Sequence, residues 1–390
     1  MNFSRFVCLV ALMAVAALET GNAAPLLTAQ EPSGGATGTV DPGQAPSVEE
    51  LKRRVEAALL EEFERQALIG LAVAVVEGES VIEFHFGHAD KKAEVKVGPE
   101  TLFRWASISK PLTAVLALQL ERDGKLDLDM DVRKLVPEFP EKPWPITARQ
   151  LLQHRAGVVH YGNGKVVRTK EDYGVEHPFK DSVRALDAFK ASPLIFEPGT
   201  AHAYTTHGYM LLGATLQRAG GAPYADQIRR RIAQPAGLDS LRPDYAWEAI
   251  ANRAKGYRKL AGIEALSSQA DVSWKLPGGG FVSTIGDLGR FAQALMGEAL
   301  LPKEVLRKAW MAQPAPEKPA GTIPYGLGFG TRTTARGPMV SHSGSQAKTR
   351  TLMQFYPGEG RAVCVMTNSE WARVAPIARA VWGVLPAPQR

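Results

Sequence analysis

Cysteine is almost missing from this chain: of 390 residues, only Cys8 and Cys364 carry a thiol. Cys8 falls inside the apolar run 6–18, too near the start for a lipoprotein cleavage box. Cys364 lies in the apolar run 362–366, where a buried strand residue without a disulfide is expected. Two thiols so placed exclude a disulfide-stapled scaffold. Long apolar runs are scarce as well. Residues 6–18 are too few to span a bilayer, and no later segment reads as a membrane helix. Charge of a single sign is also lacking, since 46 Lys and Arg against 40 Asp and Glu leave only +6, thinly spread. That balance speaks against a nucleic-acid partner and leaves an anionic cell-envelope partner open; Arg229-Arg230-Arg231 reads as a solvated helix face. Metal-ligand spacing is missing too. His85 and His88 stand three apart on an expected strand and so face opposite sides. Asp127, Asp129 and Asp131 with Glu138 imitate a calcium loop in part, but Val132 occupies the glycine position and no flanking helices frame it. No metal and no cofactor is expected.

What is present begins with an address. Arg5 precedes the run 6–18, and the small residues Gly21 and Ala23 follow. This is the pattern of a signal peptide over residues 1–23, cleaved after Ala23 or Ala24. Residues 24–46 are rich in Pro, Gly, Ala and Thr and read as a flexible linker. Ser47-Val48-Glu49-Glu50 then opens an amphipathic helix along which Val48, Leu51, Val55, Leu59 and Phe63 recur at helical spacing. Strands at 71–76 and 80–86 follow, joined through Glu77-Gly78-Glu79. Helical character holds from 147 to 249, with helices at 206–220 and 224–235. Gly278-Gly279-Gly280 opens a strand at 281–284 and a helix ending at Met296. Strands at 325–332, 339–343, 349–356 and 361–367 come next, and a helix over 370–384 closes the chain. Strands at both ends with helices between them predict an α/β fold: a sheet part at about 47–106 and 277–387, interrupted by a helical part at 107–276.

The chemistry centres on Ala106-Ser107-Ile108-Ser109-Lys110-Pro111, ahead of the apolar run 112–120. At i,i+3 spacing on a helix Ser107 and Lys110 share a face. Pro111 is tolerated only in a first turn, which puts Ser107 at or beside the helix N-terminus. A hydroxyl becomes a nucleophile when a neighbouring base takes its proton, and an unprotonated Lys110 can be that base if burial or a nearby cation lowers its pKa. S-x-x-K alone is too short a pattern to carry an assignment. Two later stretches supply partners. Tyr204-Thr205-Thr206 offers a phenol which, beside an ammonium, would ionise below its ordinary value and relay protons. His342-Ser343-Gly344-Ser345 lies on an expected strand, where glycine would let a substrate backbone approach. No Ser-Asp-Asn triplet and no G-x-S-x-G elbow is present.

Together and in this order, the three stretches resemble the serine β-lactamase-like, penicillin-recognising hydrolases. The branch is that of class C β-lactamases, DD-peptidases and esterases, and within it the mitochondrial-type serine β-lactamase-like proteins and their bacterial relatives. The resemblance covers residues 50–385 and includes Phe103-Arg104-Trp105 before Ser107, Leu151-Leu152-Gln153-His154-Arg155-Ala156-Gly157 with His160-Tyr161, Phe196-Glu197-Pro198-Gly199-Thr200, and Tyr325-Gly326-Leu327-Gly328-Phe329. It implies an antiparallel sheet flanked by N- and C-terminal helices with an inserted, mostly helical region. By the same resemblance Ser107 would be the acylated nucleophile, Lys110 its base or base partner and Tyr204 the acid/base at the leaving group. Backbone N–H groups of Ser107 and Ser345 would form the oxyanion hole, while His342, Thr206, Ser343 and Gly344 would meet substrate. Thr206 stands where β-lactamases of this branch carry asparagine, and His342 where many relatives carry lysine, a weaker and pH-dependent cation. The implied activity is an exported acyl-enzyme hydrolase for small-molecule or peptide substrates, cell-wall peptides among them. A β-lactamase or D-alanyl-D-alanine carboxypeptidase proper stays open, as does a non-catalytic scaffold with the same fold. The loops at 162–180 and 258–276 would shape the pocket.

Overall fold

A computed structural model describes residues 47–169, 181–312 and 324–387. The expected leader, the linker and residues 170–180 of the first pocket loop lie outside the described residues. Ser47 caps the first helix, Val48–Arg65, its hydroxyl accepting from Glu50 N at 3.2 Å. That helix is followed by the hairpin Gly70–Glu77 and Ser80–Asp90.

Seven strands form one antiparallel sheet, in the order Val95–Lys96, Ser80–Asp90, Gly70–Glu77, Arg361–Thr367, Thr349–Tyr356, Gly337–Gln346, Gly330–Thr334. The first and last parts of the chain meet at its centre, where Val73 sits opposite Val365. The strand period of two sorts Gly70–Glu77 onto two cores. Leu71, Val73 and Val75 pack with Val55, Leu59, Ile377 and Val381 from the first and last helices. Ala72, Ala74 and Val76 face the other way, into a core shared with Leu288 and the helical region. Both faces are covered, so these strands are apolar without a break. Cys364 belongs to the second core, buried and unpaired.

Two expected elements shift. The strand expected over 325–332 begins only at Gly330, because Gly328 takes φ of 86° and Gly326 N donates to Phe329 O at 2.8 Å, closing a turn. The closing helix starts at Val374, four residues late. Glu370 and Trp371 are instead committed to tertiary bonds, to Lys348 N at 2.8 Å and to Gln66 O at 3.0 Å. The aspartates of the partial calcium loop serve as local anchors: Asp131 caps a turn and pairs with Arg133, and Asp129 pairs with Arg149 at 2.8 Å. Among the described residues no helix is long and apolar enough to cross a membrane.

Candidate active site

Ser107 sits in one turn of 3-10 helix, Ala106–Ile108, that runs into the helix Ser109–Arg122. Pro111 falls in the first turn, where its missing N–H has no intrahelical partner to lose. The twelve residues from Ser109 to Leu120 are all buried, so this helix is the axis of the helical region. Ala106 takes φ of 48°, a left-handed conformation that costs a residue with a Cβ about 1–2 kcal/mol. The turn is held on both sides. Trp105 N donates to Phe281 O at 2.8 Å, and Trp105 Nε1 to Ser283 Oγ at 2.6 Å. Thr351 Oγ1 donates to Trp105 O at 3.0 Å from the main sheet.

Lys110 is fully buried, with Nζ 3.1 Å from Ser107 Oγ, 3.3 Å from Thr206 Oγ1 and 2.8 Å from the Gly278 carbonyl. Burial holds its amine well below the ordinary lysine value, and the charge of Lys275 adds to the effect. The Tyr204 ring centroid lies 4.8 Å from Nζ, and the Ser107 side chain is the neighbour that acts to lower its phenol. Tyr204 departs from expectation in one respect: burial outweighs every neighbour and pushes its phenol up, so it stays a proton donor instead of ionising early.

Ser107, Tyr204 and Thr206 line a cavity of about 330 Å³ together with Ser343, Ser345 and Gln346 on the strand side, and His160, Tyr161 and Lys275 on the other. Thr206 begins the helix Thr206–Gly220, capped by Thr205, and its N–H donates to His160 Nδ1 at 3.1 Å. Burial, with the charge of Lys275, lowers His160 to about 4, so the ring is neutral with its proton on Nε2.

The strand Gly337–Gln346 is paired to its outer neighbour only as far as Ser341, opposite Gly330. Among the described residues no strand pairs with that edge from His342 onward. His342 Nδ1 lies 2.8 Å from the Ser343 carbonyl. The side chains of Ser343 and Ser345 are exposed to the cavity.

His342 and Gly344 turn the other way, and the expectation of a cation at His342 is corrected. A carbonyl only accepts, so His342 Nδ1 carries the proton, and Nε2 accepts from Tyr325 OH at 2.9 Å. Burial lowers this histidine to about 3. It is a neutral ring behind Tyr204 and not a cation, and it lines a neighbouring cavity together with Tyr204 and Ser343. A Cβ on Gly344 would overlap Thr351 Oγ1, the Trp105 carbonyl and the Ala106 Cβ. The glycine lets the Ser107 turn lie against the strand, and its bare face is filled by protein instead of substrate.

Behind Tyr204 lies His154, with ring centroids 4.2 Å apart. Its Nδ1 accepts from Thr205 N at 3.1 Å, and burial keeps it neutral. Sequence reasoning singled out neither Lys275 nor Gln346, though Lys275 lies in a loop expected to shape the pocket. Their only sequence signal is adjacency, Lys275 to the glycine run and Gln346 to the third motif.

The chain is 31% identical over 291 residues to serine beta-lactamase-like protein LACTB, mitochondrial, of Homo sapiens, covering 58% of this chain and 53% of that one. The chain thus spans about half the length of the curated relatives it matches first. It is 28% identical over 335 residues to penicillin-binding protein 4* of Bacillus subtilis, covering 82% of this chain and 72% of the relative. A solved class C beta-lactamase superposes with a TM-score of 0.72 at 19% identity, over 87% of this chain and 97% of that one. The Beta-lactamase family model matches residues 52–382. With that span taking in the Ser107 turn, the Tyr204 loop and the strand edge from His342 onward, the chain belongs to the Beta-lactamase family.

Proposed function

We propose that this chain is an exported serine hydrolase that works through an acyl-enzyme on Ser107, with peptide, amide or ester substrates. The observation that carries the reading is the buried Lys110 amine, 3.1 Å from Ser107 Oγ, with the Tyr204 ring centroid 4.8 Å from the same amine. Neutral Lys110 accepts the Ser107 proton as Oγ bonds to the substrate carbonyl carbon. The N–H groups of Ser107 and Ser345 take the developing oxyanion, each such donor being worth about 3–4 kcal/mol of transition-state stabilisation. Tyr204 donates its proton to the leaving group as the carbon–leaving-group bond breaks, and recovers one from the Lys110 ammonium. Water then repeats the sequence in reverse and frees Ser107.

Thr206 and the neutral His342 support an amidase, peptidase or esterase over an efficient β-lactamase, since neither offers the amide or cationic contact that β-lactams use in this branch. A non-catalytic scaffold would have no physical need for a buried lysine aimed at a serine, an arrangement that lowers stability.

The test is labelling by a fluorophosphonate and by fluorescent penicillin in intact and fractionated cells. Wild type is expected to label outside the cytoplasm on a chain that begins at Ala24 or Pro25, and Ser107→Ala to label not at all. Equal labelling of both proteins, or of neither, contradicts the hydrolase. A labelled chain that retains residues 1–23 in the cytoplasm contradicts export alone.

A further inference from the structure

The cavity at Ser107 holds a second lysine, and among the described residues it has no ion-pair partner. Lys275 ends the turn Ser273–Lys275 and lines the cavity with Ser107, Tyr204 and Ser345. Among the described residues, no acceptor lies within hydrogen-bonding distance of its Nζ and no carboxylate within ion-pairing distance. Its company is aromatic, with the Trp274 and Tyr161 ring centroids 5.8 and 6.0 Å away. The charged groups that reach it through space are engaged elsewhere. Asp271 accepts from Ser273 N at 3.0 Å and from Ser273 Oγ at 2.8 Å, and Arg104 is paired with Asp244. Among the described residues no aspartate or glutamate lines the cavity. Burial, together with the Arg104 charge, lowers the Lys275 amine to about 8, which leaves it mostly charged at neutral pH.

A partly buried ammonium without a partner is costly, and it becomes favourable once an anion completes it. We propose that Lys275 is the anion anchor of this site: the substrate carries a carboxylate near its scissile carbonyl, which pairs with Nζ and holds that carbonyl over Ser107. This deepens the acyl-enzyme reading and rests on it. It sets anionic acyl compounds and peptides apart from neutral esters as the favoured class. Pairing has a second consequence. An anion on Lys275 screens its repulsion of Lys110, which makes Lys110 a stronger base once substrate is in place.

Two matched pairs of esters test the anchor and locate the carboxylate. Mono-p-nitrophenyl glutarate against p-nitrophenyl valerate places the charge on the acyl part. The acetates of 3-hydroxybenzoate and of phenol place it on the leaving part. The quantity read is the ratio of kcat/KM for the charged member over the neutral one, or, for compounds not turned over, the ratio of their competition against fluorophosphonate labelling. In wild type the ratio is expected to be about tenfold or more in one pair, as for a hydrogen bond to a charged group. Lys275→Met should bring it to near unity, and Lys275→Arg should restore most of it. Whichever pair responds identifies the end of the substrate that bears the anion. A ratio near unity in both pairs for wild type, or a preference that Lys275→Met leaves intact, overturns the anchor while Ser107 labelling continues. Loss of Ser107 labelling in wild type itself would instead overturn the acyl-enzyme reading, and the anchor with it.

Discussion

Lys110 has three oxygen neighbours, and a neutral amine has two N–H groups and one lone pair. The Gly278 carbonyl can only accept, Thr206 Oγ1 takes the second N–H, and the lone pair is left for the Ser107 hydroxyl. The neutral form therefore satisfies every contact, and it is also the catalytically useful one. Stability depends on the same property. In the unfolded chain this amine titrates near its ordinary 10.5, whereas burial holds it well below that in the folded chain. Between the two values the unfolded chain binds a proton that the folded chain does not, so stability drops as pH falls through that window. Lys110→Met removes the penalty along with the activity. Its melting temperature is expected to exceed that of wild type near neutral pH by about 2 °C or more. The excess should shrink as pH approaches 10.5, which calorimetry across that range checks. In wild type, kcat/KM should fall on the acid side as Lys110 takes up its proton. A pH-independent excess, or a variant that melts lower throughout, contradicts a neutral lysine.

The strand Gly337–Gln346 does two jobs that its neighbours divide between its faces. Ser343 and Ser345 look into the cavity, while Gly344 receives the Ser107 turn. Gly344→Ala would push that turn off the strand, and overpacking of this kind costs about 1–3 kcal/mol. Labelling of Ser107 is expected to slow by about tenfold or more, as the oxyanion donors move apart, with a matching loss in urea melts. A variant that destabilises without slowing the labelling would show that the nucleophile does not depend on this contact. Elements such as these were largely legible. The pairs Gly70–Glu77 with Ser80–Asp90, and Thr349–Tyr356 with Arg361–Thr367, declare themselves by β-rich runs bounded by turn residues. The Ser107–Lys110 spacing also reads directly, because i,i+3 geometry is local. What failed was non-local. The run 325–329 looks like strand until Gly328 adopts a left-handed φ of 86°. The direction of the Tyr204 shift and the neutrality of His342 depend on burial in the folded chain, and no short motif records that.

The sheet and the helical part share one apolar core. Ala74, Cys364 and Met366 on the sheet belong to the same contiguous cluster as Leu112 and Leu116 on the Ser109–Arg122 helix and Leu211 and Leu216 on the Thr206–Gly220 helix. The cavity lies where these two parts meet, walled by the strand edge on one side and by the helix start on the other. If either part opened alone, it would expose a face that buries tens of apolar side chains in the other, at roughly 25 cal/mol per Å². The catalytic groups are therefore expected to last as long as the fold does and no longer. Thermal loss of fluorophosphonate labelling should coincide with the loss of tryptophan fluorescence within about 2 °C, as one cooperative transition. Leu116→Ala, at a fully buried position of that shared core, should lower both together, at a cost of about 2–5 kcal/mol. Labelling that disappears well before the fluorescence, or a variant that separates the two curves, would mean that the helical part unfolds as a unit of its own. The cavity would then be a gap between two bodies, and the convergence of Ser107, Lys110 and Tyr204 would no longer be enforced by a common core.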